Sequence, residues 1–319
     1  MASVSDPLPA VAPRLSVRAG VAWAPRPDAS VPDALWPVVD ALESGGWDSL
    51  WVSDTGGPGG IAPLPLLAAV AARTSRLKLG TNVLVLPSRG PLQLARELAT
   101  VDALSGGRIF PAGGLGLADP RELRAAGIAS DERTARLEEC VRLVTALWSG
   151  EPVTHEGRFW SLDGVALSPR PTRPRLELWL GGRAPAALRR IGRIADGWIA
   201  SFQGPEEVAD GIATIRAAAA EAGRSVDDDH YGATIHVVRE PDGLDPGTER
   251  ILALRPDIPA ADHVAHGPAA VRALMERFLA VGVTKFVLIP HARDIPGWLA
   301  ELRDVVAPLE EAGATAPWA

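Results

Sequence analysis

The feature that most constrains this chain is an eightfold alternation between short runs rich in β-branched residues and longer stretches of helical period. Strand-like runs fall at 15–22, 48–53, 77–84, 107–114, 176–182, 197–202, 230–238 and 285–290. Between them lie segments whose apolar residues recur at three- and four-residue spacing, among them "PLQLARELATVDALSG" and "PEEVADGIATIRAAAAEAG". Pro or Asp stands near the starts of these segments and Gly follows several of their ends, as helix termini favour. Such repetition builds a parallel sheet with helices packed on its outside. Eight units predict a closed (β/α)8 TIM barrel rather than an open doubly wound sheet, and 319 residues accommodate one barrel with insertions.

Two segments break the repeat. Residues 151–175 predict a β-hairpin followed by a Pro/Arg-rich extended connection, and 239–266 form a polar, Pro-rich excursion. Both are expected as insertions at the C-terminal end of the barrel, where long connections build or cover a site. Residues 1–13 read as a flexible Pro/Ala lead-in without a signal-peptide pattern, leaving 14–319 as a single domain.

Charge and cysteine usage narrow the function. A net charge of -7 without any Lys/Arg-rich block argues against nucleic-acid and anionic-membrane partners and favours a small-molecule substrate. No apolar run is long enough for a transmembrane helix. The single cysteine, Cys140, excludes an intrachain disulfide and fits a reducing, cytoplasmic location. Its setting, "ARLEECVRLVTALW", predicts a buried helix position.

In barrels of this type the site lies just beyond the C-terminal ends of the strands. That rule selects Trp23, Asp54 and Thr55, Asn82 to Pro87, Gly114 to Leu117, Gly181 to Ala184, Ser201 to Gln203, His236 and His291. In "LWLGGRAPAALRR", two glycines and an arginine precede a helix, which suits either an anion at the helix start or a tight turn with Arg183 solvated. "GRIFPAGGLG" lacks the G-x-G-x-x-G spacing of a dinucleotide fingerprint. His155, His230, His236, His263, His266 and His291 are scattered without metal-ligand spacing, so no metal is expected and they read as structural or solvated. There is no G-x-S-x-G nucleophile elbow. Most of the ten tryptophans are expected to pack the core, with Trp23 either a packing group or the wall of a planar ligand.

Several stretches together resemble the bacterial-luciferase-like oxidoreductases, particularly the branch that uses the deazaflavin coenzyme F420. They are "GWDSLWVSD", "TSRLKLGTNVLVLPSRGPLQLARELATVDALSGGRI", "RLEECVRLVTALWSGEPVTHEGRFW", "LWLGGRAPAALRRIGRIADGW" and "PEEVADGIATIRAAAAEAGR". The resemblance implies coenzyme F420, or alternatively FMN, bound edge-on to a substrate cavity. It implies Asp54 near the ring, a non-proline cis peptide at Asn82-Val83 beneath it, Gly114, Leu115 and Gly116 near the ring or its polyol chain, and Gly181, Gly182 and Arg183 at the phosphate. Trp23, Thr55, Leu117, Ser201 and His291 would border the substrate.

This chain has Thr55 where deazaflavin relatives typically carry a His, and Leu117 where the sugar-phosphate dehydrogenases carry an acid. The acid or base is thus unassigned, with Asp54 and Thr55 as candidates, and a sugar phosphate is not the implied substrate. Three functions remain open: deazaflavin-dependent hydride transfer on an organic small molecule, an FMN monooxygenase fed by a separate reductase, and a non-catalytic flavin-binding barrel. The helices "LPLLAAVAART" and "PLQLARELATVDAL" would supply either a homodimer face or ordinary packing.

Overall fold

Among the described residues, nine of ten α-helices begin with proline at their first or second position, where its missing N–H costs nothing and its fixed φ suits the first turn. The computed structural model describes residues 14–25, 29–54, 60–117, 119–173, 175–315 and 317. The lead-in at 1–13 and the candidate Thr55 lie outside these residues.

The first half of the chain forms β1 (Arg14–Leu15), β2 (Arg18–Trp23), α1 (Val31–Ser44), β3 (Ser49–Val52), α2 (Pro63–Arg73), β4 (Lys78–Thr81), β5 (Leu84–Val85) and α3 (Pro91–Ser105). Next come β6 (Ile109–Phe110), β7 (Ala112–Gly114), α4 (Pro120–Ala125), α5 (Arg133–Leu147), β8 (Val153–Glu156), β9 (Ser161–Val165) and β10 (Trp179–Gly181). The remainder forms α6 (Pro185–Ile194), β11 (Gly197–Ala200), α7 (Pro205–Glu221), β12 (Tyr231–Val238), α8 (Pro246–Leu252), β13 (Val264–His266), α9 (Gly267–Ala280), β14 (Lys285–His291), α10 (Ile295–Ala312) and β15 (Ala314–Thr315).

Each of the eight predicted runs contributes to one curled parallel sheet, paired in the order β5-β7-β10-β11-β12-β14-β2-β3-β4-β6, with β13 added beside β12. Parallel pairing needs a crossover between consecutive strands, which the helices supply. The hairpin predicted within 151–175 is the antiparallel pair β8-β9, and β1 pairs antiparallel with β15. The helix α8 and strand β13 inside the 239–266 excursion, and the short α4, were not expected from sequence.

Period-two alternation divides the sheet into two faces. Val17, Ala19, Val21 and Trp23 join the layer that packs against the helices, as do Tyr231, Ala233, Ile235 and Val237 of β12. A separate inner cluster gathers Ala112, Trp179 and Ile199, with Trp51 and Val83 against it. Leu64, Leu66, Leu67 and Val70 of α2 and Leu94, Leu98 and Val101 of α3 are buried within the chain, while Leu104 of α3 is 63% exposed. Buried indoles satisfy their single N–H locally: Trp148 donates to Ala95 O at 3.1 Å, Trp198 to Gly182 O at 2.9 Å and Trp298 to Val237 O at 3.3 Å. None of the helices among the described residues is long and apolar enough to cross a membrane.

The hairpin is fastened to α5 through Glu139, which is 4% exposed. Its carboxylate accepts from the Trp160 N–H at 3.0 Å and the Phe159 N–H at 3.3 Å, and lies 3.3 Å from His155 Nε2. Burial pushes this carboxyl up, but those donors outweigh it and hold it below its ordinary range. A depressed folded value stabilises the native state above the unfolded value, and that gain disappears as pH falls through the folded one. Glu139→Gln should therefore flatten the acid limb of thermal stability below about pH 4.5. Parallel acid limbs in the two proteins would refute this account.

A cavity of about 280 Å³ opens at the N-terminal ends of the strands, lined in part by Arg18, Lys78, Lys285, Asp48, Asp229 and Trp179. Its charges answer one another, Lys78 to Asp48 at 3.0 Å and Lys285 to Asp229 at 3.2 Å, forming an ionic network under the sheet. It stands at the opposite end from the candidate site.

Candidate active site

At the C-terminal end of β3, three backbone and side-chain bonds strap residues 52–54 onto the connection between β4 and β5. Asn82 N donates to Val52 O at 3.0 Å, Ser53 Oγ to Asn82 O at 2.6 Å, and Asp54 N to Val83 O at 3.2 Å. The Asn82-Val83 peptide held there is cis, at the bond the family resemblance singled out. Asp54 Oδ2 accepts from Val85 N at 3.0 Å and from Arg89 Nε and Nη2 at 3.2 and 2.7 Å. Its carboxylate therefore anchors the turn that carries the cis peptide. Arg89, which sequence reasoning did not single out, lies 35 positions away with no periodicity to betray it.

Glycines let the strands close around this bulge. A Cβ on Gly114 would stand 2.8 Å from Val83 Cγ2, and one on Gly181 would stand 3.2 Å from Val83 Cγ1. Gly116 has φ +67, and a Cβ there would meet Val85 Cγ1 at 2.8 Å. Arg133 Nη2 fixes the same loop by donating to Leu115 O at 2.9 Å and Gly116 O at 2.6 Å. Leu115 is partly buried against the core, and Leu117 is 76% exposed.

Gly182, with φ +146, leads directly into α6, whose first turn has no side-chain cap. Gly182, Arg183, Ala184, Pro185 and Ala186 are all exposed. An uncapped helix start beside a guanidinium is electropositive and open to an anion. Across the loop, Arg255 bonds to Asp257 and, with a contribution from Arg183, holds that carboxyl down at about 2. Arg255 also donates to Phe202 O at 2.5 Å and Glu207 at 2.8 Å, tying the 239–266 excursion to the loop after β11.

The inner face of β11 and β12 carries a polar ladder. Ser201 Oγ lies 3.0 Å from Thr234 Oγ1, and one step further His236 Nδ1 lies 2.9 Å from His291 Nε2. The two imidazoles stack with centroids 5.2 Å apart, and His291 Nδ1 is 3.6 Å from Asp245 Oδ2. Burial first, then His291 and His263, drives the His236 pKa down to about 3; burial also lowers His291, opposed by Asp245. These histidines look scattered in sequence, 55 positions apart, yet adjacent parallel strands bring them together. The signal was present in "YGATIHVV": Gly232, Thr234 and His236 occupy one face of a strand whose other face, Tyr231, Ala233, Ile235 and Val237, packs into the helix-side core.

Trp23 lies elsewhere than a ligand wall. It is 4% exposed in the helix-side core, with its indole N–H on Ala34 O at 3.2 Å. Its strand phase aims it outward, like Val21 and Ala19 before it. Cys140 is fully buried in α5, and burial pushes its thiol up to about 12, so it is no nucleophile at neutral pH.

Residues 18–244 match the luciferase-like monooxygenase family model. An F420-dependent glucose-6-phosphate dehydrogenase from Nakamurella multipartita is 39% identical over 209 residues, covering 62% of this chain and 61% of that protein. Matches to curated relatives of that name span between 49% and 62% of their length. Among solved structures, an F420-dependent secondary alcohol dehydrogenase in complex with an F420-acetone adduct superposes with TM-score 0.77 at 20% identity, covering 91% of this chain and 98% of that one. The FMN-bound oxygenating constituent of 3,6-diketocamphane monooxygenase from Pseudomonas putida gives TM-score 0.71 at 20% identity, covering 92% and 99%. With the family model matching most of its sheet and the fold shared at these scores, the chain belongs to the luciferase-like monooxygenase family.

Proposed function

We propose that this protein is an oxidoreductase that uses coenzyme F420 to move a hydride to or from an organic small molecule. The observation that carries the proposal is the pairing of the open Gly182–Arg183 helix start with the glycine-flanked Asn82-Val83 bulge at the same ends of the strands. The curated relatives named for F420 favour the deazaflavin over FMN.

The residues present fit such a group. Asn82 Oδ1 is buried without a hydrogen-bond partner among the described residues, as expected where a ligand donor belongs. Gly114 and Gly181 leave room for the Val83 side chain, so the bulge seats between the strands at the end where the ring would lie. In this reading Gly181, Gly182 and Arg183 bind the phosphate; Asn82, Val83 and the Asp54-braced turn support the ring; and Gly114 to Gly116 border the polyol chain. Leu117, Ser201 and His291 border the substrate. When bound, the coenzyme supplies a hydride acceptor or donor at C5 of its ring. The protein orients that ring and shields it from water.

The same proposal treats the sheet as a closed barrel with its insertions over the C-terminal end. In support, β6 and β7 flank the single residue Pro111, β6 pairs with β4, and β7 pairs with both β5 and β10. The single cysteine supports a cytoplasmic location, the apolar helices α2 and α3 together with the family resemblance support a homodimer, and a separate reductase belongs to the FMN alternative.

Titrating purified protein with oxidised F420 and with FMN tests the cofactor assignment. F420 should bind at least about tenfold more tightly, a difference of roughly 1.4 kcal/mol. Tighter binding of FMN would instead favour the reduced-flavin monooxygenase, and saturable binding of neither would reject both. Within the same experiment Arg183→Ala should weaken F420 several-fold at low salt, with the difference shrinking as salt is raised.

A further inference from the structure

We propose that His236, backed by His291 and Asp245, is the acid–base group of this site, taking the hydroxyl proton of a secondary-alcohol substrate as its carbinol hydride leaves for F420. This rests on the F420 reading and adds the missing proton path and a substrate class. Four observations converge. The pair lies at the C-terminal ends of β12 and β14, one rung beyond Ser201 and Thr234 on the inner sheet face. Ile199, two residues before Ser201 on that face, belongs to the cluster that also packs Val83 of the bulge. His236 Nδ1 is engaged with His291 Nε2 at 2.9 Å, while its Nε2 makes no hydrogen bond to the described residues. His291 Nδ1 in turn lies 3.6 Å from Asp245 Oδ2, a carboxylate already oriented by the Gly247 and Thr248 N–H groups at the start of α8.

The order of the three groups gives the path a direction. With His291 neutral and His236 Nδ1–H donating to it, His236 Nε2 carries a lone pair. The substrate O–H and C–H bonds break, and C=O forms. The hydride reduces the deazaflavin by two electrons. The proton joins His236 Nε2, while the Nδ1 proton crosses to His291 Nε2, so the positive charge comes to rest beside Asp245. Burial disfavours charge on His236 itself, and His263, whose carbonyl accepts from the His236 N–H at 3.0 Å, adds to that; around His263 lie Asp262, Arg255 and Glu207. Burial disfavours charge on His291 as well, but there Asp245 is the main opposing influence, so the outer member bears the charge at less cost. Run backwards, the same chain protonates a ketone.

Two measurements decide the matter. Imidazole nitrogen-15 NMR of the cofactor-free protein should show His236 Nε2 unprotonated at neutral pH and Nδ1 protonated. Asp245→Asn, which retains a good helix cap, should lower the titration of His291. A protonated Nε2 at neutral pH, or a His291 indifferent to Asp245→Asn, overturns the proposal. In F420-loaded protein, at least one of a panel of secondary alcohols from 2-propanol to cyclohexanol should reduce the coenzyme. His236→Asn should slow that reduction by about 100-fold at neutral pH, with partial recovery at high pH and F420 affinity unchanged. An unaltered rate and pH profile would remove His236 from the chemistry, and turnover of none of the panel would remove the alcohol class. Failure of the parent protein to bind F420 at all rejects the functional reading itself, and the binding titration reveals that separately.

Discussion

Asp54→Ala is expected to weaken F420 binding by at least about tenfold, roughly 1.4 kcal/mol, while leaving the chain folded. The family resemblance puts this aspartate near the ring, but its contacts assign it a second task. A single oxygen, Oδ2, holds the Val85 N–H and both Nε and Nη2 of Arg89, bracing the turn that bears the cis Asn82-Val83 peptide. Charge-assisted bonds contribute about 1.5–3 kcal/mol each when buried. Here the side chains are 17% and 25% exposed, so partial screening lowers the sum. Truncation leaves the Val85 N–H and the guanidinium seeking water, and Val83 loses its fixed position between Gly114 and Gly181. Asp54→Asn retains an acceptor for one of these donors and should fall between parent and alanine. Arg89→Met should reproduce most of the loss, and the double variant should be far from additive because both remove one interaction. Fluorescence titration of the coenzyme with a parallel melting curve measures this; affinity equal to the parent in Asp54→Ala would show that the brace does not position the ring.

Sequence reached the scaffold more readily than the site because the scaffold is periodic. Strand phase and helix phase are local properties, so "YGATIHVV" and "PEEVADGIATIRAAAAEAG" each carry their own signal. Glycines at Gly114, Gly181 and Gly182 were legible too, since only a close approach or a positive φ calls for them at strand ends. Pairings across the curl were not. Arg89 reaches Asp54, and His291 reaches His236, through the adjacency of strands rather than through any spacing along the chain. Trp23 illustrates the opposite error: its place at a strand end suggested a ligand wall, but the period-two phase set by Ala19 and Val21 sends its ring toward α1. The excursion at 239–266 hid α8, whose Asp245 cap matters to the site because it also faces His291. A stretch that reads as a polar loop in sequence thus contains Asp245, the carboxylate that faces the histidine pair among the described residues.

Arg108→Ala is expected to cost about 3 to 4 kcal/mol of stability, the largest effect of any substitution considered, and yet to leave F420 affinity in the folded protein nearly untouched. Its guanidinium sits where α2 and α3 end and β4 begins. Nε donates to Ser105 O at 2.7 Å, Nη1 to Leu77 O at 2.6 Å and Thr74 Oγ1 at 2.9 Å, and Nη2 to Thr74 O at 2.8 Å and Ala71 O at 3.0 Å. Four carbonyls at the ends of α2 and α3 and the start of β4 thereby find donors that their helices cannot supply. Removing the fork strands them partly buried, whereas lysine, with a single nitrogen and no planar geometry, can replace only part of the set. Arg108→Lys should accordingly recover less than half of the loss. A melting temperature lowered by on the order of 5–10 °C in the alanine variant is the expected reading. What makes the variant informative is its position: Arg108 precedes β6, at the N-terminal ends of the strands, while Asp54 follows β3 at their C-terminal ends. If the two ends divide stability from ligand binding, as barrels of this kind do, Arg108→Ala moves the melting curve without the Kd and Asp54→Ala chiefly moves the Kd. A loss of F420 affinity in Arg108→Ala at temperatures well below its melting point would mean that the bulge at Asn82-Val83 takes its shape from the base of the sheet, and the division of labour would not hold.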